Sequence, residues 1–153
     1  MKLAKAFAAS SLFLLLAASG LHAACSTASV AGRFGFTTTG SIPAVGPVAA
    51  TGIFAQDASG NITGAQTRSL NGSVADETFT GTATVNSDCT GTDTVQVFQD
   101  GSLVRTTTLH VVYDDNGREA RAIFTSLVLQ PSGVSLPSII TIEARKLFSR
   151  EAD

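Results

Sequence analysis

TFTGTATVNSDCTG, running from Thr78 to Gly91, decides the fold. Phe79, Gly81, Ala83 and Val85 fall on one face of an extended chain, and Thr78, Thr80, Thr82 and Thr84 on the other. This period of two, with β-branched residues on the wet side, marks a half-buried β-strand. Asn86-Ser87-Asp88 then turns the chain and presents Cys89, one of only two cysteines.

The same pattern repeats on both sides. Upstream, Arg33 to Gly40 places Phe34, Phe36 and Thr38 on one face, Ser41 to Pro47 reads as a loop, and Val48 to Gln56 and Asn61 to Leu70 read as strands around the turn Asp57 to Gly60. Asn71-Gly72 is a type I′ hairpin signal leading into the Thr78 strand. Downstream, Gly91 to Gln99 carries Val95 and Val97 on one face, Asp100-Gly101 is a second hairpin dipeptide, and Ser102 to Tyr113 is a β-branched run closed by Asp114 to Gly117. Arg118 to Gln130 opens with helix-tolerant residues, but its flanking turns and Ile123, Phe124, Thr125 and Val128 favour strand. Pro131 to Pro137 is a loop, and Ser138 to Phe148 is a last strand carrying Ile140 and Ile142. No segment argues for a helix. The expected fold is all-β, a single antiparallel meander of roughly eight strands closing into a barrel, which removes exposed edges. A two-sheet sandwich is the alternative. The glycines at 52, 64, 81 and 91 are expected to relieve crowding at bends and bulges.

Residues 1–23 read as a secretory signal peptide: Lys2 and Lys5, the apolar run Ala6 to Ala18, then small residues suited to cleavage after Ala23. The run is shorter than the roughly 20 residues of a membrane span, so the expectation is a secreted or periplasmic protein whose leader engages the export machinery and which has no transmembrane span. Lipid anchoring through Cys25 is a minor alternative, weakened by His22 where an aliphatic residue is expected. Residues 24–148 then form one domain, with residues 149–153 as a frayed tail. Without Lys2 and Lys5, eight Lys/Arg face twelve Asp/Glu, a net charge of −4. With no basic track, no Trp and only Tyr113 as a phenol, nucleic acid is excluded as a partner. A membrane-spanning barrel is disfavoured because the strand faces carry Thr, Gln, Asp and Arg rather than an apolar band with aromatic girdles.

Two cysteines in an exported chain read as one disulfide, Cys25 to Cys89, tying the N-terminus to the turn after the Thr78 strand. The segments GPVAATGIFAQDASGNITG and TFTGTATVNSDCTG resemble a family of small secreted bacterial proteins. In that family a cysteine following the leader precedes an Asp-x-x-Gly-Asn hairpin and an aromatic-rich strand ending in Asp-Cys-Thr-Gly. Cys25, Asp57, Gly60, Asn61, Phe79, Gly81, Val85, Asp88, Cys89, Thr90 and Gly91 occupy those positions, while Ala83 replaces the second aromatic. The arrangement is also similar to the barrel of allene oxide cyclase and the wider calycin-like class. That resemblance implies a barrel that binds or cyclises apolar molecules, on grounds of fold alone.

Motifs for chemistry are lacking. His110 has no orienting carboxylate in its own strand, and Glu143 and Arg145 alternate with Ile140, Ile142 and Ala144, which turns the charged pair to water. Asp57 to Asn61 has oxygen ligands at calcium-loop spacing, but Ile62 and Arg68 stand where Gly and Glu are required. No catalytic residue, metal site or cofactor is expected. The expected function is a non-enzymatic secreted barrel that binds a small apolar ligand, lined by Phe34, Phe36, Phe79, Val95, Val97, Tyr113, Ile140 and Ile142, or that serves as an envelope or matrix module. Two alternatives belong to other classes: a cyclase- or isomerase-like enzyme with Tyr113, His110 or Glu143 converging in the lumen, and a surface interaction module.

Overall fold

Alternating apolar and polar residues draw the described chain, residues 24–148 of this computed structural model, into eight strands. The expected leader and tail lie outside the described residues. The strands are β1 (Gly32–Ile42), β2 (Gly46–Gln56), β3 (Asn61–Leu70), β4 (Ser73–Val85), β5 (Thr90–Gln99), β6 (Ser102–Asp114), β7 (Glu119–Leu129) and β8 (Ile139–Lys146). Each pairs antiparallel with its sequence neighbour, and β8 returns to pair with β1, Phe36 opposite Ala144 and Thr38 opposite Ile142. The sheet is therefore a closed meander barrel rather than a sandwich, and no edge is left to aggregate. At Asn71-Gly72 and Asp100-Gly101 both turn residues have positive φ, the type I′ geometry that matches strand twist.

The last strand, expected over Ser138 to Phe148, is shorter, and two other boundaries and one element differ more. The Ser41 to Pro47 loop shrinks to residues 43–45, because Ser41 pairs with Pro47 and Ile42 with Gly46 in the β1–β2 ladder. The Thr78 strand begins earlier, at Ser73, directly after its hairpin turn. A helix is present where none was expected. Thr27–Val30, designated α1, is opened by a reciprocal capping box between Ser26 and Ser29, and Val30 is buried beneath the barrel. The Cys25–Cys89 disulfide fastens the segment preceding α1 to the β4–β5 turn, beside a hydrogen bond from Cys25 N–H to Ser87 O at 3.3 Å. That bond engages the sulfur a lipid anchor would need.

Inward and outward faces follow the alternation. Thr78, Thr80, Thr82 and Thr84 of β4, with Thr92 and Thr94 of β5, are exposed, while Phe79, Ala83, Val95 and Val97 are buried. The ladder shifts register between Val97 and Phe98 and again between Thr108 and Leu109, so the bulges lie away from the four strand glycines. Those glycines serve close packing instead. A Cβ at Gly64 would overlap the Phe79 ring, and one at Gly52 would strike the β3 backbone at Ala65. Among the described residues no helix is long and apolar enough to cross a membrane.

Two apolar clusters fill the ends of the barrel. One, containing Val30, Phe34, Phe36, Phe79, Leu109, Val111 and Tyr113, forms a floor above α1. The other, Ile42, Val48, Leu127 and Ile140 with Leu70, Leu129 and Leu136 against them, rings the opposite end.

Candidate functional site

A cavity of about 370 Å³ occupies the barrel axis. It runs from Tyr113, Ala120 and Ala144 at the floor to Ile42, Val45 and Leu136 at the other end, which we call the mouth. Its wall is chiefly apolar: Phe36, Phe54, Phe79, Val95, Val97, Leu109, Val111, Phe124, Ile140 and Ile142. Aromatic rings pack against one another at and below this wall. Phe34 and Phe54 lie parallel with centroids 4.9 Å apart, and Phe36 meets the edge of Phe79 at 5.9 Å.

Charge enters this wall at two depths. Nearer the mouth, Glu77 of β4 is fully buried between Arg68 of β3 and Arg105 of β6. Arg105 donates from both terminal nitrogens, at 2.7 and 2.6 Å, while Arg68 Nε at 2.8 Å and Gln66 Nε2 at 2.7 Å complete the carboxylate. Burial alone would raise the Glu77 carboxyl. The hydrogen bonds and charge of Arg105, joined by those of Arg68 and Gln66, outweigh it and hold the group at about 2.

Nearer the floor the balance reverses. Asp93 of β5 is buried with no cation beside it among the described residues, and desolvation pushes its carboxyl up to about 7. Its Oδ1 has no hydrogen-bond partner among the described residues, and neither has Gln56 Nε2. Tyr113 O–H donates to Gln56 Oε1 at 3.2 Å; burial, and then the Asp93 charge, raise the phenol well above its ordinary range. Because the folded Asp93 holds its proton where the unfolded chain has lost it, stability falls as pH rises from about 4 to about 7. Asp93→Asn is expected to flatten that fall and to add about 2–4 kcal/mol above pH ~7, as read by urea unfolding across the range. Parallel pH profiles for the two proteins would contradict the assignment.

Phe36, Phe79, Val95, Val97, Tyr113, Ile140 and Ile142 all reach the lumen wall. Phe34 lies one layer lower, fully buried in the floor with the Lys146 ammonium 5.4 Å from its ring centroid. His110 is exposed on the outer face, and so is Glu143, so of the three groups an enzyme reading requires only Tyr113 turns inward. Arg145 is also outward and pairs with Glu119 across the β7–β8 ladder. The Asp57 carboxylate accepts from the Ser59 and Asn61 backbone and from Asn61 Nδ2, the contacts of a turn.

Sequence reasoning missed the charged lumen residues Arg68, Glu77, Asp93 and Arg105 and the amide Gln66, as well as the apolar wall positions Phe54, Leu109, Val111 and Phe124. Their parity was the available signal. Glu77 stands two residues before Phe79 and Asp93 two before Val95, in phase with the apolar face.

No protein-family model matches the chain, and no curated protein sequence does. Among solved structures it is similar to EF1p2_mFAP2b bound to DFHBI, with a TM-score of 0.58 and 9% identity, covering 80% of this chain and 100% of that one. It is also similar to a redesigned beta barrel, mFAP1, bound to DFHBI, with a TM-score of 0.52 and 15% identity, covering 76% and 94% respectively. At such identities the likeness establishes the barrel fold alone.

Proposed function

We propose that the protein is a non-enzymatic binding barrel that works outside the cytoplasm and holds a small apolar molecule in its lumen. The observation that carries this reading is the apolar cavity of about 370 Å³, above the ~300 Å³ at which small-molecule sites begin. Phe36, Phe79, Val95, Val97, Ile140 and Ile142 would contact the ligand, with Tyr113 at its lower end. The disulfide supports an oxidising compartment. The barrels that this one resembles were both solved with DFHBI bound, which supports a ligand in a barrel of this shape.

The neutral dye N-phenyl-1-naphthylamine tests this reading. The protein is expected to bind it saturably with a rise in fluorescence. Ala122→Phe, which puts a ring into the lumen, is expected to weaken binding by about tenfold or more. Thr94→Phe, on the outer face, should leave it unchanged. Overpacking costs ~1–3 kcal/mol, so each variant is first checked for a cooperative melt. Absence of saturable binding, or equal loss in both folded variants, would overturn the reading.

A further inference from the structure

Among the described residues four charged side chains line the lumen: Arg68, Glu77, Asp93 and Arg105. Hydrogen-bond accounting separates the two arginines. Both terminal nitrogens of Arg105 are spent on Glu77, whose two oxygens accept four donors in all. Arg68 gives Glu77 only its Nε, and its buried Nη1 has no partner among the described residues. Asp93 cannot serve it. Asp93 pairs with Ala83, six residues along β4 from Glu77, a separation of roughly 20 Å along the strand. The cluster therefore holds two guanidinium groups against one carboxylate and keeps a single surplus positive charge in an apolar wall. An unpaired buried donor on a charged group is costly, and a planar oxyanion is the partner that guanidinium geometry fits best.

We propose that the lumen is selective for apolar molecules carrying one carboxylate, with Arg68 receiving that head group and Arg105 holding Glu77. This rests on the ligand-binding reading above. Arg68 lies two residues from Leu70 at the mouth end of β3, and Phe79 lies two residues floorward of Glu77 on β4. The carboxylate thus sits toward the mouth, and the hydrocarbon extends past Phe79, Phe36 and Ile142 to the floor. A neutral ligand leaves Arg68 Nη1 unpaired, and a cation meets the surplus charge with repulsion. A dianion would exceed it.

Calorimetric titration of the wild-type protein with decanoate and with 1-decanol, near pH ~6.5 where the acid is ionised, tests the proposal. Decanoate is expected to bind about tenfold or more tightly than decanol. Arg68→Met leaves Glu77 held by Arg105 and Gln66, and is expected to bring that ratio near one; Arg68→Lys should restore part of it. Equal affinities in the wild type would overturn the carboxylate preference while leaving a binding lumen. An undiminished ratio in folded Arg68→Met would remove Arg68 from the role. If neither decanoate, decanol nor N-phenyl-1-naphthylamine bound, the ligand-binding reading itself would fail. The wild-type comparison decides the preference even if the variants do not fold.

Discussion

Replacing Cys89 with serine is expected to cost about 4 kcal/mol, or roughly 10–20 °C of melting temperature. The bond joins residues 64 apart in sequence, so its loss returns the conformational freedom of a long loop to the unfolded chain. The native state loses something too. Cys25 immediately precedes the Ser26 cap of α1, and α1 carries Val30 into the floor cluster with Phe34 and Tyr113. Around Cys89 the chain is already committed, since Cys89 has a φ of 67° and its carbonyl accepts from Tyr113 N–H at 2.9 Å. Thermal melts of the wild type with and without reductant should reproduce the serine variant's loss. A melt indifferent to reductant would show that the floor does not depend on the bond.

Glu77→Leu is expected to destabilise by about 3–5 kcal/mol, because it leaves two guanidinium groups in the wall without their carboxylate. The cost belongs to the orphaned cations rather than to any large net gain from the ion pairs. The triple variant Arg68→Met, Glu77→Leu, Arg105→Met should therefore recover most of it. Acid should act on the wild type in the same direction. The folded Glu77 carboxyl lies at about 2, below its ordinary 4.5, so its contribution is present above pH ~4.5 and is lost as pH falls toward 2. From Glu77 and Asp93 alone, stability peaks near pH 4–5, with Glu77 responsible for the acid limb and Asp93 for the decline above it. Denaturant titrations of the single and triple variants decide the matter. A triple variant as unstable as Glu77→Leu would mean that the cluster itself holds the barrel together.

The barrel was legible in the sequence because sheet periodicity is local. Phe79 and Val85 against Thr78 and Thr84 need only their neighbours to declare two faces, and Asn71-Gly72 and Asp100-Gly101 declare the hairpins between strands. Closure of β8 onto β1 follows from strand number and the need to bury edges. The helix α1 escaped because four residues give no helical period, and its cap uses Ser29 where a Glu or Gln would signal the box. The Ser41 to Pro47 loop was overdrawn because Pro47 breaks most strands. Here it is tolerated near the end of β2, opposite Ser41, with its carbonyl accepting from Asn71 N–H. The polar lumen was hidden for another reason. Charged residues default to the wet face, and only cross-strand neighbours reveal that Arg68 and Arg105 converge on Glu77 inside.

The central claim, that the lumen rather than the outer wall receives an apolar ligand, is tested most directly by methyl NMR during titration with N-phenyl-1-naphthylamine. The inward methyls of Val95, Val97, Ile140 and Ile142 line the cavity, whereas those of Val112, Ile123 and Ile139 are exposed outside, an internal control within one protein. The predicted result is a saturable shift of the four inward residues with the outer three unmoved. Shifts confined to Val112, Ile123 and Ile139, or no shift at all, would contradict it.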